Sequence, residues 1–142
     1  MEAEEPLETA EGPVKQPALV LFGGNSSFNY LIQRYATRIG YTLTVTPAAA
    51  SAESICRLSP EAVIFPSIAN LEEAQFLTAG LVDCDIPIIV CSSTADQIRA
   101  RQLGADYCLL HPLVYDNFSS VLGAIRAQKS QTDANIPLNP GL

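Results

Sequence analysis

Short apolar runs bounded by turn-forming residues dominate the hydrophobic pattern of the chain. One of them, Ala62 to Phe65, ends at Pro66. Three similar runs span Ala18 to Phe22, Ile86 to Cys91 and Tyr107 to Leu110. Runs of this length without polar alternation are typical of strands buried on both faces. Because Pro66 has no N–H to donate to a sheet, it predicts the end of its strand.

The segments between these runs predict one polar strand and five helices. Tyr41 to Thr46 alternates polar and apolar residues, which favours an edge strand. One helix, capped by Ser26 or Ser27 and ended by Gly40, has an apolar stripe at spacings of three and four. The stripe consists of Phe28, Leu31, Ile32, Tyr35, Ala36 and Ile39. The other helices are predicted at Ala52 to Leu58, from an Asn70 cap through Leu81, from Ser92 through Leu103, and at Tyr115 to Ala127.

Strict alternation of buried strands and amphipathic helices predicts an α/β fold with helices on both faces of a parallel sheet. Since the second strand is the polar one, it belongs at an edge. We therefore predict a flavodoxin-like (βα)5 three-layer sandwich, with a five-stranded parallel sheet in the order 2-1-3-4-5. Functional sites in such folds form at the carboxyl ends of the strands beside the switch point, here the first and third strands.

Composition narrows the classes of partner. The 142 residues carry a net charge of −7, and five glutamates lie within the first eleven residues. Lys and Arg are few and scattered, so a nucleic-acid footprint is not expected. No secretory signal or membrane-spanning run is visible. The four cysteines form no CxxC pair, and in a chain without an export signal we expect reduced thiols that pack as small hydrophobes.

Several landmarks resemble the receiver domains of two-component response regulators, over about Pro17 to Ala127. Arg38-Ile39-Gly40-Tyr41 is similar to the end of the first helix of that family. Ile86 to Val90 is similar to its fourth strand, and Gly104-Ala105-Asp106-Tyr107 followed by His111-Pro112 is similar to its Gly-Ala-Asp and Lys-Pro ending. The resemblance implies a domain over residues 17–128. Composition predicts a flexible acidic tail at 1–16, which is either a leader without a role or an acidic docking arm, and a flexible C-terminal tail at 129–142.

The residue types that carry receiver chemistry are largely missing at the matching positions. The family holds Mg²⁺ with two acidic residues after the first strand, where this chain has Gly23 and Gly24. It phosphorylates an Asp after the third strand, where this chain has Pro66. Its Ser or Thr matches Ser92, and its Lys is replaced by His111. The aromatic switch position matches Cys108. The resemblance therefore implies a degenerate phosphorylation pocket without a metal site or a catalytic residue.

The same residues offer three other chemistries. The turn from Gly23 to Ser27 lies between a strand and a helix, where backbone N–H groups bind anions, although glycine in a tight turn explains it as well. Ser92, Ser93 and His111 contain a nucleophile and a base but lack a third member. Cys91, Cys108 and His111 offer metal ligands, but residues three apart on a strand point to opposite faces.

The resemblance implies that the chain is not an enzyme and needs no cofactor. We expect a pseudo-receiver that acts as a phosphorylation-independent protein–protein interaction module in bacterial-type signalling or regulation. We expect the protein to be cytoplasmic. Its partner is expected to be another protein, or a second copy of the chain in a homodimer. Neither a nucleic acid nor a membrane is expected as a partner. The alternative is a small-ligand- or anion-responsive domain that uses the Gly23–Ser27 turn with Ser92 and His111. By family analogy, the partner surface would include Gln97, Arg101, Tyr107, Leu109, Tyr115 and Phe118.

Overall fold

Five parallel strands form one sheet in the order β2-β1-β3-β4-β5. The computed structural model describes residues 17–23, 25–46 and 51–138, so the predicted acidic tail at 1–16 lies outside the described residues. The strands are β1 (Ala18–Phe22), β2 (Thr42–Thr46), β3 (Ala62–Phe65), β4 (Ile88–Ser92) and β5 (Tyr107–Leu110). The predicted strand order and the flavodoxin-like architecture are confirmed.

The connections between the strands are helical. The α-helices are α1 (Ser26–Arg38), α2 (Ala52–Leu58), α3 (Ile68–Glu73), α4 (Gln75–Asp83), α5 (Gln97–Gln102) and α6 (Tyr115–Leu138). A 3₁₀ turn, Thr94–Asp96, precedes α5. The segment between β3 and β4, predicted as one helix, is divided into α3 and α4 at Ala74.

The helix caps differ from the prediction because the capping side chain lies earlier in the sequence. The first helix is capped by Asn25, whose Oδ1 accepts a hydrogen bond from the Phe28 N–H at 2.8 Å. After β3, the cap is Ser67, whose Oγ accepts from the Asn70 N–H at 3.2 Å. Asn25 and Ser67 both have the extended backbone that a capping residue requires, whereas the predicted caps Ser26 and Asn70 are already helical.

Element boundaries also differ, most of all in the fourth strand and the last helix. The fourth strand begins at Ile88 rather than Ile86, and the Pro87 before it has no N–H to donate to the sheet. Helix α6 continues from its predicted end at Ala127 to Leu138, so the predicted tail at 129–142 is helical over that part. The polar composition of residues 129–142 predicted a tail. However, residues 128–136 contain no Gly or Pro that would interrupt the helix. No helix in the described part of the chain is long and apolar enough to cross a membrane.

The sheet separates two apolar cores. Ala62 and Ile64 of β3 face the core under α1 and α6, whereas Val63 and Phe65 face the core under α2 to α5. All four residues are almost fully buried, because β3 pairs with β1 on one side and with β4 on the other. The carboxyl ends of β1, β3, β4 and β5 consequently meet at one edge of the sheet, where the candidate site lies.

Candidate functional site

An open cleft of about 680 Å³ lies at the carboxyl edge of the sheet. It is lined by the residues that end or follow three strands: Pro66 after β3, Ser92 at the end of β4 and His111 after β5. Asn25, Phe28, Ser67, Ile68, Asn70, Cys91, Ser93 and Asp96 complete its wall. The structure therefore brings together three of the five residues predicted for the degenerate pocket.

The two glycines of the predicted pocket are placed differently. Gly23 lines a separate, smaller hollow, and its N–H donates to the Thr46 carbonyl at 3.1 Å. Its φ of 55° lies in the left-handed region, which glycine adopts without a steric penalty. A side chain at Gly23 would meet no atom within 4 Å, so the backbone conformation rather than lack of space favours glycine. Gly24 lies outside the described residues.

Ser92 provides the clearest unused hydrogen-bonding group in the cleft. The residue is 6% exposed, and its Oγ has no hydrogen-bond partner among the described residues. Its carbonyl accepts a bond from the His111 N–H at 3.2 Å, which holds the two strand ends together. Because a buried hydroxyl without a partner costs about 1–3 kcal/mol, a ligand that bonds to Ser92 Oγ would recover this energy.

Four of the other polar side chains of the cleft are hydrogen-bonded in pairs. Ser67 Oγ lies 2.7 Å from Asn70 Oδ1, and Ser93 Oγ donates to Asp96 Oδ2 at 3.1 Å. These bonds shape the loops that follow β3 and β4. His111 is exposed and begins the His111–Pro112 cis peptide.

The donor set does not fit the Mg²⁺ ion that receiver domains use. Asp96 is the one carboxylate among the described residues that line the cleft. Pro66 has no side-chain oxygen and Gly23 has no side chain, whereas Mg²⁺ sites are built from oxygen ligands. Within the described part of the chain, no group of three His, Cys, Asp or Glu residues is placed to hold a metal ion.

The alternative metal set of Cys91, Cys108 and His111 is contradicted by the register of the sheet. Cys91 pairs with Leu109, and Cys108 pairs with Val90. Cys91 packs into the core under α1 and α6, whereas Cys108 packs against the opposite core. Burial raises the pKa of the Cys91 thiol, and Cys108 raises it further, so Cys91 is a poor thiolate ligand.

A disulfide between Cys56 and Cys84 was not predicted from the sequence. It joins α2 to the end of α4, with the two Cα atoms 6.2 Å apart. The prediction of four reduced thiols is therefore wrong for this pair, although Cys91 and Cys108 are free. The pair is brought together only because α2 and α4 pack side by side, where a side chain on Gly80 would come within 2.5 Å of Ala52 Cβ. No spacing within the sequence signals that contact.

The predicted partner surface is only partly available. Leu109 is fully buried and belongs to the core under α1 and α6, and so does Phe118. Leu109 was misplaced because side chains alternate along β5, and it is Leu110 that faces outward. Arg101 is exposed, while Gln97, Tyr107 and Tyr115 are half-buried. On the same helix as Arg101, Ile98 is 76% exposed and was not singled out by the sequence.

Comparison with solved structures identifies the fold. The chain is similar to a CheY-like protein, TadZ, from Pseudomonas aeruginosa, with a TM-score of 0.65 and 13% identity over 77% of this chain and 98% of that one. It is similar to the receiver domain of the TMAO respiratory system response regulator TorR, with a TM-score of 0.62 and 21% identity over 79% and 98% of the two chains. It is also similar to the chemotaxis protein CheY4 of Vibrio cholerae, with a TM-score of 0.63 and 12% identity over 78% of this chain and 99% of that one.

These likenesses extend over nearly the whole length of the compared chains. No family model matches the sequence, and a comparison with curated proteins gives no match. With identities of 12–21%, the similarity concerns the three-dimensional arrangement rather than the residues. The chain therefore has the fold of a response-regulator receiver domain.

Proposed function

We propose that the chain is a pseudo-receiver that acts as a phosphorylation-independent protein–protein interaction module in bacterial-type signalling or regulation. The observation that carries the proposal is Pro66, which occupies the tip of the central strand, in the cleft with Ser92 and His111. A phosphorylatable receiver needs a carboxylate nucleophile at this tip. The nitrogen of Pro66 is part of the peptide bond, and its ring carries no group that accepts a phosphoryl group.

The rest of the cleft does not compensate for this loss. The positions of Gly23 and Pro66 offer no carboxylate to hold a metal ion. Without that ion, the negative charge of a phosphoryl donor is not offset. The Ser92 hydroxyl and the His111 imidazole lie at the cleft, but in receivers the matching groups bind the phosphoryl product rather than form it. The proposed function therefore has no catalytic residue, no metal and no cofactor.

The partner in this proposal is a signalling or regulatory protein, and a second copy of the chain is one such partner. The proposed surface keeps Gln97, Arg101, Tyr107 and Tyr115 and loses Leu109. Neither a nucleic acid nor a membrane is part of the proposal, because the basic residues are few.

The proposed location is the cytoplasm, and the Cys56–Cys84 disulfide makes this testable. Cytosolic thiols are kept reduced. Trapping the thiols by alkylation at the moment of cell lysis should therefore find Cys56 and Cys84 reduced in the cell and oxidised only after isolation. A disulfide already present before lysis would contradict a cytoplasmic location.

The main proposal is tested with the ¹⁵N-labelled full chain, beryllofluoride and Mg²⁺. We expect no saturable amide shifts at Gly23, Phe65 or Ser92, while a phosphorylatable receiver treated in the same way responds. Specific saturable shifts at these residues would show that the cleft still binds a phosphoryl mimic, and would overturn the proposal.

A second function, response to a small ligand or anion, is favoured by the unpartnered Ser92 Oγ. In this alternative the Gly23–Ser27 turn, Ser92 and His111 bind the ligand. A thermal-shift screen with phosphate, sulfate and nucleotides should then show stabilisation that Ser92→Ala removes. Ser93→Ala is the matched control, because Ser93 Oγ is already bonded to Asp96. Stabilisation by no compound, or equal stabilisation of the Ser92→Ala chain, would exclude this alternative.

A further inference from the structure

Helix α1 carries two arginines that form no ion pair within the described part of the chain. Helix α1 contains Arg34 and Arg38, and the sequence has no Asp or Glu between Pro17 and Ala52. Two ion pairs, Arg57–Glu53 and Arg99–Glu72, lie in the opposite layer. Two arginines on α1 are therefore available to an acidic ligand.

These arginines are positioned by tyrosine rings. The guanidinium carbon of Arg38 lies 4.1 Å from the ring centroid of Tyr115, and that of Arg34 lies 5.8 Å from the ring centroid of Tyr30. Tyr115 is itself held edge-on against Tyr35 at 5.4 Å. A guanidinium over an aromatic face keeps its N–H groups free to form a two-pronged bond with a carboxylate. We call Tyr30, Arg34, Arg38 and Tyr115 the α1 basic face.

An acidic segment of the same chain enters the structure beside this face. Residues 1–16 contain five glutamates, Glu2, Glu4, Glu5, Glu8 and Glu11, against the single cation Lys15. The described part begins at Pro17, whose carbonyl accepts a hydrogen bond from the Thr42 N–H at 2.9 Å. Thr42 follows α1 closely in the sequence, so the segment joins the domain near the end of α1 that carries Arg38.

The segment is long enough to cover the face. Helix α1 has 13 residues, which corresponds to a length of about 20 Å. An extended stretch from Glu8 to Pro17 alone spans roughly 30 Å. This length is sufficient for Glu8 and Glu11 to reach Arg34 and Arg38.

We propose that the acidic segment, residues 1–16, binds in cis to the α1 basic face through its glutamates. Exposed ion pairs are individually weak, but covalent attachment gives the segment a millimolar effective concentration at the face. The segment then competes with any acidic partner protein for Arg34 and Arg38. This would make the α1 basic face a surface that the chain itself covers.

The proposal is tested by NMR on the full chain and on a variant in which the five glutamates are replaced by Gln. We expect the Arg34 and Arg38 side-chain Nε–H signals and the Tyr30 amide to differ between the two chains at low salt. In about 0.5 M salt the spectrum of the natural chain should converge on that of the variant, because screening weakens exposed ion pairs. Identical signals in the two chains at low salt would overturn the proposal.

Two controls define the site and the occupant. Arg34→Gln with Arg38→Gln should remove the difference, whereas Arg57→Gln should leave it, because Arg57 is paired with Glu53 in the opposite layer. A difference that appears at Arg99 and Arg101 instead would overturn the assigned face. A difference that grows with protein concentration between about 20 µM and 500 µM, far below the effective concentration of a tethered segment, would assign the segment to a second copy and overturn binding in cis.

Discussion

The body of β3 and its tip differ in burial and in the functional groups they offer. Ala62 to Phe65 are at most 1% exposed and contribute to both apolar cores. The next residue, Pro66, lines an open cleft and offers neither a nucleophile nor a metal ligand. A strand needs only apolar side chains of suitable shape, whereas a reactive site needs particular functional groups. The strand body and the strand tip therefore place different demands on the sequence, and the receiver fold depends on the first alone.

This difference predicts that substitutions in the strand body are costly and that substitutions in the cleft are cheap. The first prediction concerns Ile64→Ala, which removes a fully buried side chain from the core under α1 and α6. We expect the free energy of unfolding to fall by about 2–5 kcal/mol, because a cavity remains in a close-packed interior. Urea denaturation measures this loss.

The matched control for Ile64 is Val45→Ala on the edge strand β2, where Val45 is 48% exposed. It should cost less than about 1 kcal/mol. If Ile64→Ala cost no more than Val45→Ala, the buried strand would not dominate stability, and the comparison between the body and the tip would fail.

The second prediction concerns the disulfide between Cys56 and Cys84, which are 28 residues apart. Reduction should lower the free energy of unfolding by about 2–4 kcal/mol, because the open chain gains conformational entropy when it unfolds. Thermal unfolding with and without a thiol reductant measures the effect.

The double variant Cys56→Ser, Cys84→Ser should unfold as the reduced chain does and should not respond to the reductant. The free thiols Cys91 and Cys108 are retained in that variant, so they serve as an internal control. An equal response of both chains to the reductant would show that the stabilisation does not come from this disulfide.

The third prediction concerns two helical glycines that differ in their surroundings. A side chain at Gly80 would come within 2.5 Å of Ala52 Cβ, whereas one at Gly123 would meet nothing within 4 Å. Gly80→Ala should therefore destabilise the chain by about 1–3 kcal/mol through overpacking between α2 and α4. Gly123→Ala should stabilise it by up to about 1 kcal/mol, because alanine favours the helix.

Equal effects of the two glycine substitutions, measured by urea denaturation, would contradict the close contact between α2 and α4. The contact bears on the disulfide as well, since the same pair of helices carries Cys56 and Cys84. A destabilised Gly80→Ala chain should also be more easily reduced.

The sequence predicts the sheet better than the site because the two depend on different information. The bounds of β1, β3 and β5 agree with the prediction, since each is a short apolar run between turn signals. Pro66, Ser92 and His111 lie together because all three occupy the ends of parallel strands. Strand order alone predicts that proximity.

The features that were missed depend on contacts between distant segments or on competing local bonds. Leu109 was assigned to the surface, but the phase of β5 places it in the core. The disulfide depends on the packing of α2 against α4, and the α1 cap depends on Asn25 reaching the Phe28 N–H. The lack of a partner for Ser92 Oγ is visible only once every neighbouring group has been placed.

The smallest expected effect belongs to the cleft itself. Ser92→Ala removes a buried hydroxyl that has no hydrogen-bond partner among the described residues, so it should change the free energy of unfolding by less than about 1 kcal/mol, or raise it. The matched control is Ser67→Ala, which removes the cap of α3 from the same cleft and should cost about 0.5–2 kcal/mol. Urea denaturation of the two variants separates a hydroxyl with a structural role from one without. If Ser92→Ala cost as much as Ser67→Ala, Ser92 Oγ would be part of the scaffold, and the cleft would lose the one group that favours a ligand.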